Sequence, residues 1–106
     1  MDKTAIVIAD TTGAIRFWSK GAETAFGYPA ENALSQTLDL IVPNEFREAH
    51  WLGFHRAMAA GSAATEGQDI TLPVRTADGR IQNTAGKLTF LRKSDGGIAG
   101  VMVIFG

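Results

Sequence analysis

The chain has 106 residues, no cysteine, and ten basic against eleven acidic side chains, for a net charge of −1. With 45% hydrophobic and 20% charged residues it can bury one modest core and one pocket, so residues 1–106 are expected to form a single domain. Its charges are scattered, which leaves no basic stripe for a nucleic-acid backbone, and the lack of cysteine removes disulfides, thiolate nucleophiles and thiolate metal sites.

The N-terminus does not read as a secretory signal and no apolar run is long enough to span a bilayer, so no membrane partner and a cytoplasmic location are expected. In chain order, TAIVIAD at 4–10 is a β-branched apolar run stopped by DTTG, and AIRFW at 14–18 alternates apolar with polar residues; together they read as a hairpin. An unbroken apolar run suits a strand buried on both faces. Residues 4–10 are therefore expected beside the equally apolar 98–105 at the centre of a sheet. Ser19 precedes Ala22, Ala25 and Phe26 at helical spacing, with Gly27 as the stop, which predicts a short helix. From Pro29 to Pro43 the helical signals are brief and only single turns are expected.

After Pro43, Asn44 stands where it can cap the longest helix. That helix should run to about Ala60 with Gly61 as its stop, and Glu45 and Glu48 in a first turn whose dipole favours acids. Beyond it lie three strand-like runs separated by TADGR and SDGG, an antiparallel meander. The whole is an α+β pattern: a five-stranded antiparallel sheet covered on one face by helices.

On the long helix, Phe46, Ala49, His50, Gly53, Phe54 and Ala57 recur at three- and four-residue spacing, so His50 lies on the stripe that faces the sheet. His55 is turned about 140° away by the helical pitch, which excludes a metal shared by the two histidines. His50 is then either a neutral imidazole satisfied by a carbonyl or a buried water, or a ligand donor. Gln68 leads the alternating face Gln68, Ile70, Leu72, Val74, and is either an edge residue facing water or a lone polar group in the pocket. Trp51 is read as packing at an edge or a dimer contact, Trp18 and Phe17 as core and rim, and Asp10 and Asp39 as turn and cap residues. No Ser/His/Asp order, paired carboxylates, phosphate loop or zinc spacing stands out, so an enzyme is not expected.

The stretch DTTGAIRFWSKGAETAFGYPAENALSQTLDLIVP, then RTADGR, then GIAGVMVIF resembles the PAS domain family nearly end to end. The resemblance implies the PAS fold and a sensory, signal-transducing module that binds a small molecule between the sheet and the long helix. VPNEFREAHWLGFHRAM is similar to the corresponding segment of haem-binding PAS oxygen sensors. That likeness implies haem b as cofactor, His50 as axial iron ligand, Arg56 near a propionate, and Phe54, Gln68, Ile70 and Leu72 around the pocket. Gln68 falls at a methionine-like distal position and Ile70 at an arginine-like one; a Gln68 amide inside the pocket could donate to bound dioxygen. Alternatives are a ligand-free interaction module, whose sheet face pairs with another PAS domain or a kinase, and a PAS domain holding flavin or an apolar organic ligand. Flavin ranks behind haem, and its light-driven covalent adduct is excluded without cysteine. A homodimer and a downstream kinase or other effector are the implied partners. Ser19 departs from the family's common asparagine, and the sequence ends at Gly106, short of the Asp-x-Thr that joins many members to an effector.

Overall fold

The computed structural model describes residues 4–106. Five strands form one antiparallel sheet: β1 (Ala5–Asp10), β2 (Ile15–Trp18), β3 (Ile70–Arg75), β4 (Ile81–Arg92) and β5 (Ile98–Phe105), in the order β2-β1-β5-β4-β3. Between β2 and β3 come helix α1 (Lys20–Phe26), the single turn α2 (Ala30–Ala33), 3-10 turns at Leu38–Leu40 and Asn44–Phe46, and the long helix α3 (Arg47–Ala60). The expected centre is met, since β1 and β5 pair along their length from Ala5↔Phe105 to Asp10↔Gly100.

Burial on both faces is not met. Ala5, Val7 and Ala9 are buried beside their register partners Phe105, Val103 and Val101, whereas Ile6 and Ile8 on the other face are half-buried and Ile104 is exposed. The reason is that the described helices cover one face of the sheet only, so an apolar run in a two-layer fold has one dry side and one wet side.

Local chemistry places the joints. Asp10 Oδ1 accepts hydrogen bonds from Thr12 N at 2.9 Å, Thr12 Oγ1 at 2.6 Å and Ala14 N at 3.1 Å, closing the β1–β2 turn. These bonds, the Thr12 hydroxyl's first, hold the Asp10 carboxyl well below the usual carboxylate range. Ser19 caps α1 by accepting from Ala22 N at 3.1 Å, and the same oxygen accepts from Ile6 N at 2.8 Å and donates to Thr4 O at 3.0 Å. A hydroxyl has one proton and two lone pairs, so Ser19 is saturated and ties α1 to β1. Gly27, in the left-handed region, ends α1, and Gly61 ends α3 in the same way, its N–H donating to Ala57 O.

Asn44 does not cap α3. It opens the 3-10 turn ahead of it, and Phe46 precedes the helix without a side-chain hydrogen bond. The fixed geometry of Pro43 starts a tighter turn first, and Arg47 anchors the junction by donating from Nη2 to Asp39 O at 3.0 Å and from Nε to Val42 O at 3.3 Å.

Candidate functional site

The two halves of the sheet are covered differently. Over β1 and β2, α1 packs directly, and Trp18, Ala22 and Phe26 are buried with Phe26 edge-on to Phe105 at 5.0 Å between ring centroids. Over β3, β4 and β5 stands α3, of which Phe54 alone is fully buried. The space left beneath α3 is a cavity of about 1110 Å³, slightly above the ~300–1,000 Å³ common for small-molecule pockets.

Its helix wall is the predicted stripe, since Phe46, Ala49, His50, Gly53, Phe54 and Ala57 all line it, joined by Met58. The sheet wall is Leu72 and Val74 of β3, Leu88 and Phe90 of β4, and Val101, Val103 and Phe105 of β5. Leu38, Ile41 and Val42 close one end, and Ala63, Ala64 and Thr65 of the segment after α3 line another part. The polar side chains in the lining are Glu45, His50, Thr65 and Asn83. Such a site offers a ligand mostly apolar contact and orients it through very few polar groups.

His50 is the group of interest. Its ring is half-buried in the cavity wall, and its Nδ1 is fully buried with no hydrogen-bond partner. Buried polar atoms are rarely left unmatched, at a cost of roughly 1–3 kcal/mol. Burial pushes the imidazole pKa down, with Asp39 pulling the other way and His55 adding a smaller downward push, so the ring is neutral at pH 7. A neutral imidazole keeps the lone pair a metal requires.

The remaining predicted residues divide. Phe54 and Leu72 line the cavity; Ile70 is half-buried on β3, on the same face as Leu72 but outside the lining. Arg56 and Gln68 are exposed and take no part in the wall. Arg56 sits six residues past His50, about 120° round the helix, and Gln68 precedes β3 in the irregular segment 61–69, where strand alternation does not yet apply. Trp18 is core and Phe17 rim, as read.

Two features were not legible. One is a contact of Trp51: its indole Nε1 donates to Asp39 Oδ1 at 2.7 Å, twelve residues back. The other is a strap over β4, in which Glu66 Oε2 accepts from Phe90 N at 2.9 Å, Arg92 reaches Glu66 Oε1 at 3.1 Å and Gly61 O at 3.0 Å, and Gly67 N donates to Leu88 O at 2.9 Å. The Glu and Arg are ordinary charged residues in sequence, and only the fold brings them together.

Among the described residues no group of three or more His, Cys, Asp or Glu is placed to hold a metal ion. A family model of the PAS fold matches residues 3–105. The chain is a PAS domain. A PAS domain from Colwellia psychrerythraea superposes with a TM-score of 0.82 at 23% identity, covering 99% of this chain and 86% of that one. The PAS domain of the quorum-sensing receptor RpfR from Cronobacter turicensis, solved with BDSF, superposes with a TM-score of 0.71 at 16% identity, covering 99% and 91%. By sequence, the oxygen sensor protein DosP of Escherichia coli is 26% identical over 73 residues, 69% of this chain and 9% of DosP. An uncharacterized protein of Azorhizobium caulinodans is 28% identical over 78 residues, 73% of this chain and 11% of that protein. The chain thus spans about a tenth of the length of the curated relatives it matches. The curated relatives of this PAS domain include an oxygen sensor, and its fold is shared with the PAS domain of a quorum-sensing receptor. Among the described residues no helix is long and apolar enough to cross a membrane.

Proposed function

We propose that this PAS domain is the sensory module of a cytoplasmic signal-transduction system and that its cavity takes haem b, with His50 as the axial ligand. The observation that carries the reading is a neutral imidazole with a buried, unpartnered nitrogen in the wall of a largely hydrocarbon cavity of about 1110 Å³. The residues present fit the group. Phe54, Leu72, Leu88 and Phe90 offer apolar surface for a flat macrocycle, and the exposed lining residues Thr65 and Asn83 offer hydrogen bonds for carboxylates. Bound haem would supply an iron that takes a diatomic gas or changes redox state. The chain would hold that group against its apolar wall and act through binding it. DosP, whose name makes it an oxygen sensor, supports the reading.

The same proposal includes a homodimer and an effector such as a kinase, both reached through the uncovered face of the sheet. Phe17 and Ile104 are exposed there, and Ile6, Ile8 and Met102 are half-buried. That face also favours a second reading, a PAS interaction module without a cofactor.

Reconstitution with hemin tests the cofactor. Wild type should gain a stoichiometric Soret band, His50→Ala should lose it with the fold intact, and His55→Ala should keep it. Wild type that takes up no hemin, or a His50→Ala protein with the wild-type spectrum, overturns haem ligation; the cavity would then belong to flavin or, as its hydrocarbon lining favours, to an apolar organic ligand.

A further inference from the structure

The imidazole that ligates a metal is ordinarily oriented by a hydrogen bond from its second ring nitrogen to a carboxylate or carbonyl. Among the described residues His50 has no hydrogen bond on either ring nitrogen, the buried Nδ1 included, so whichever nitrogen ligates, the orientation of the ring comes from packing. Two rings do this: Trp51 meets it edge-on at 4.9 Å between centroids with a 72° interplanar angle, and Phe54 lies at 5.9 Å and 35°. Phe54 in turn meets Trp51 edge-on at 5.2 Å, so each of the three rings touches the other two, and His55 packs on Trp51 at 5.7 Å and on Phe54 at 5.8 Å.

Of the three, Trp51 is the one fixed from outside the helix. Its Nε1 donates to Asp39 Oδ1 at 2.7 Å, and Asp39 lies in the 3-10 turn Leu38–Leu40. Its ring lies so close over Gly13 that a Cβ there would overlap it. Gly13 has φ of 86°, a conformation that favours glycine, so the seat under the indole exists because residue 13 is glycine. The turn and the glycine are themselves joined, Leu38 N donating to Gly13 O at 3.0 Å.

We infer that Trp51, held by Asp39 and Gly13, is the positioning residue of His50, setting the imidazole's orientation by ring packing in place of the missing hydrogen bond. Its bearing on a cofactor rests on the haem reading above, but the orientation itself is a property of the free protein.

The test therefore starts without hemin. In wild type the His50 ring protons should show a single set of NMR signals, displaced by the neighbouring rings, with nuclear Overhauser contacts to Phe54. Trp51→Phe keeps a ring but loses the N–H, and Asp39→Ala removes the acceptor. Both should collapse the displacement and weaken the Phe54 contacts, while Asp39→Asn, which retains an acceptor oxygen, should restore the wild-type pattern. With hemin, Trp51→Phe should bind about ten- to a hundredfold more weakly, the range seen when a group orienting a ligating histidine is removed. His50 signals unchanged in Trp51→Phe overturn the inference, whatever that variant's melting temperature. Wild type that ignores hemin overturns the haem reading while leaving the NMR comparison to decide the positioning role.

Discussion

The β1–β2–α1 half and the β3–β4–β5–α3 half use one sheet to opposite ends. In the first, Val7, Trp18, Ala22 and Phe26 are each under 5% exposed, and Ser19 ties helix to strand through three hydrogen bonds. In the second, a helix of 14 residues fully buries one of them and stands over a cavity. The difference teaches that close packing is concentrated in the first half, where loss of a side chain should cost most, while the second gives up packing under its helix to keep a cavity.

Four changes test this contrast. Phe26→Ala opens a void in the solid half and should lower stability by about 3–5 kcal/mol, read as a shifted midpoint in urea. An effect below about 1 kcal/mol would mean that half is no better packed than the other. Ser19→Ala removes a cap and the α1–β1 tie and should cost about 1–2 kcal/mol in the same assay. In the hollow half, Ala57→Leu grows into existing space, so stability should hold or rise by about 0.5–1 kcal/mol while hemin uptake is lost. A destabilised Ala57→Leu would show that α3 is already closely packed.

The smallest effect is pH dependence. The folded-state pKa of His50 is lowered, chiefly by burial, so near pH 6 the unfolded chain binds a proton that the folded chain resists. Its contribution is complete above the unfolded value of about 6.5 and is lost as pH falls from there toward the folded value. His50→Gln should flatten that part of the stability profile, measured by urea titration at successive pH values.

What was legible in the sequence follows the same division by range. Ser19, Gly27, Gly61 and the TADG and SDGG turns announce themselves because caps and turns are decided by residues within four positions. The stripe bearing His50 was legible because helical periodicity repeats whatever it faces. Of the two places left open for Gln68 the structure takes the water-facing one, because strand alternation begins only at Ile70, the first residue of β3. Arg56 came from the family likeness, although the helical angle from His50 turns it outward. The Trp51–Asp39 bond and the Glu66–Arg92 pair join residues 12 and 26 positions apart, with no local pattern to mark them.

Among the described residues both rims of the sheet are partly covered. β2 is four residues long and is closed off by the Ala14↔Thr37 bridge and by Ile15 N donating to Gln36 O. On the other side, β3 carries Pro73, which has no N–H to offer an incoming strand, and Arg75 N is already bonded to Ile41 O. β3 covers β4 only as far as Gly86, and past that point the Glu66 carboxylate and Gly67 N occupy the exposed ladder positions at Phe90 and Leu88. An added strand, the route to cross-β aggregation, would meet an occupied or missing N–H at each of these positions, which disfavours edge pairing relative to a broadside approach.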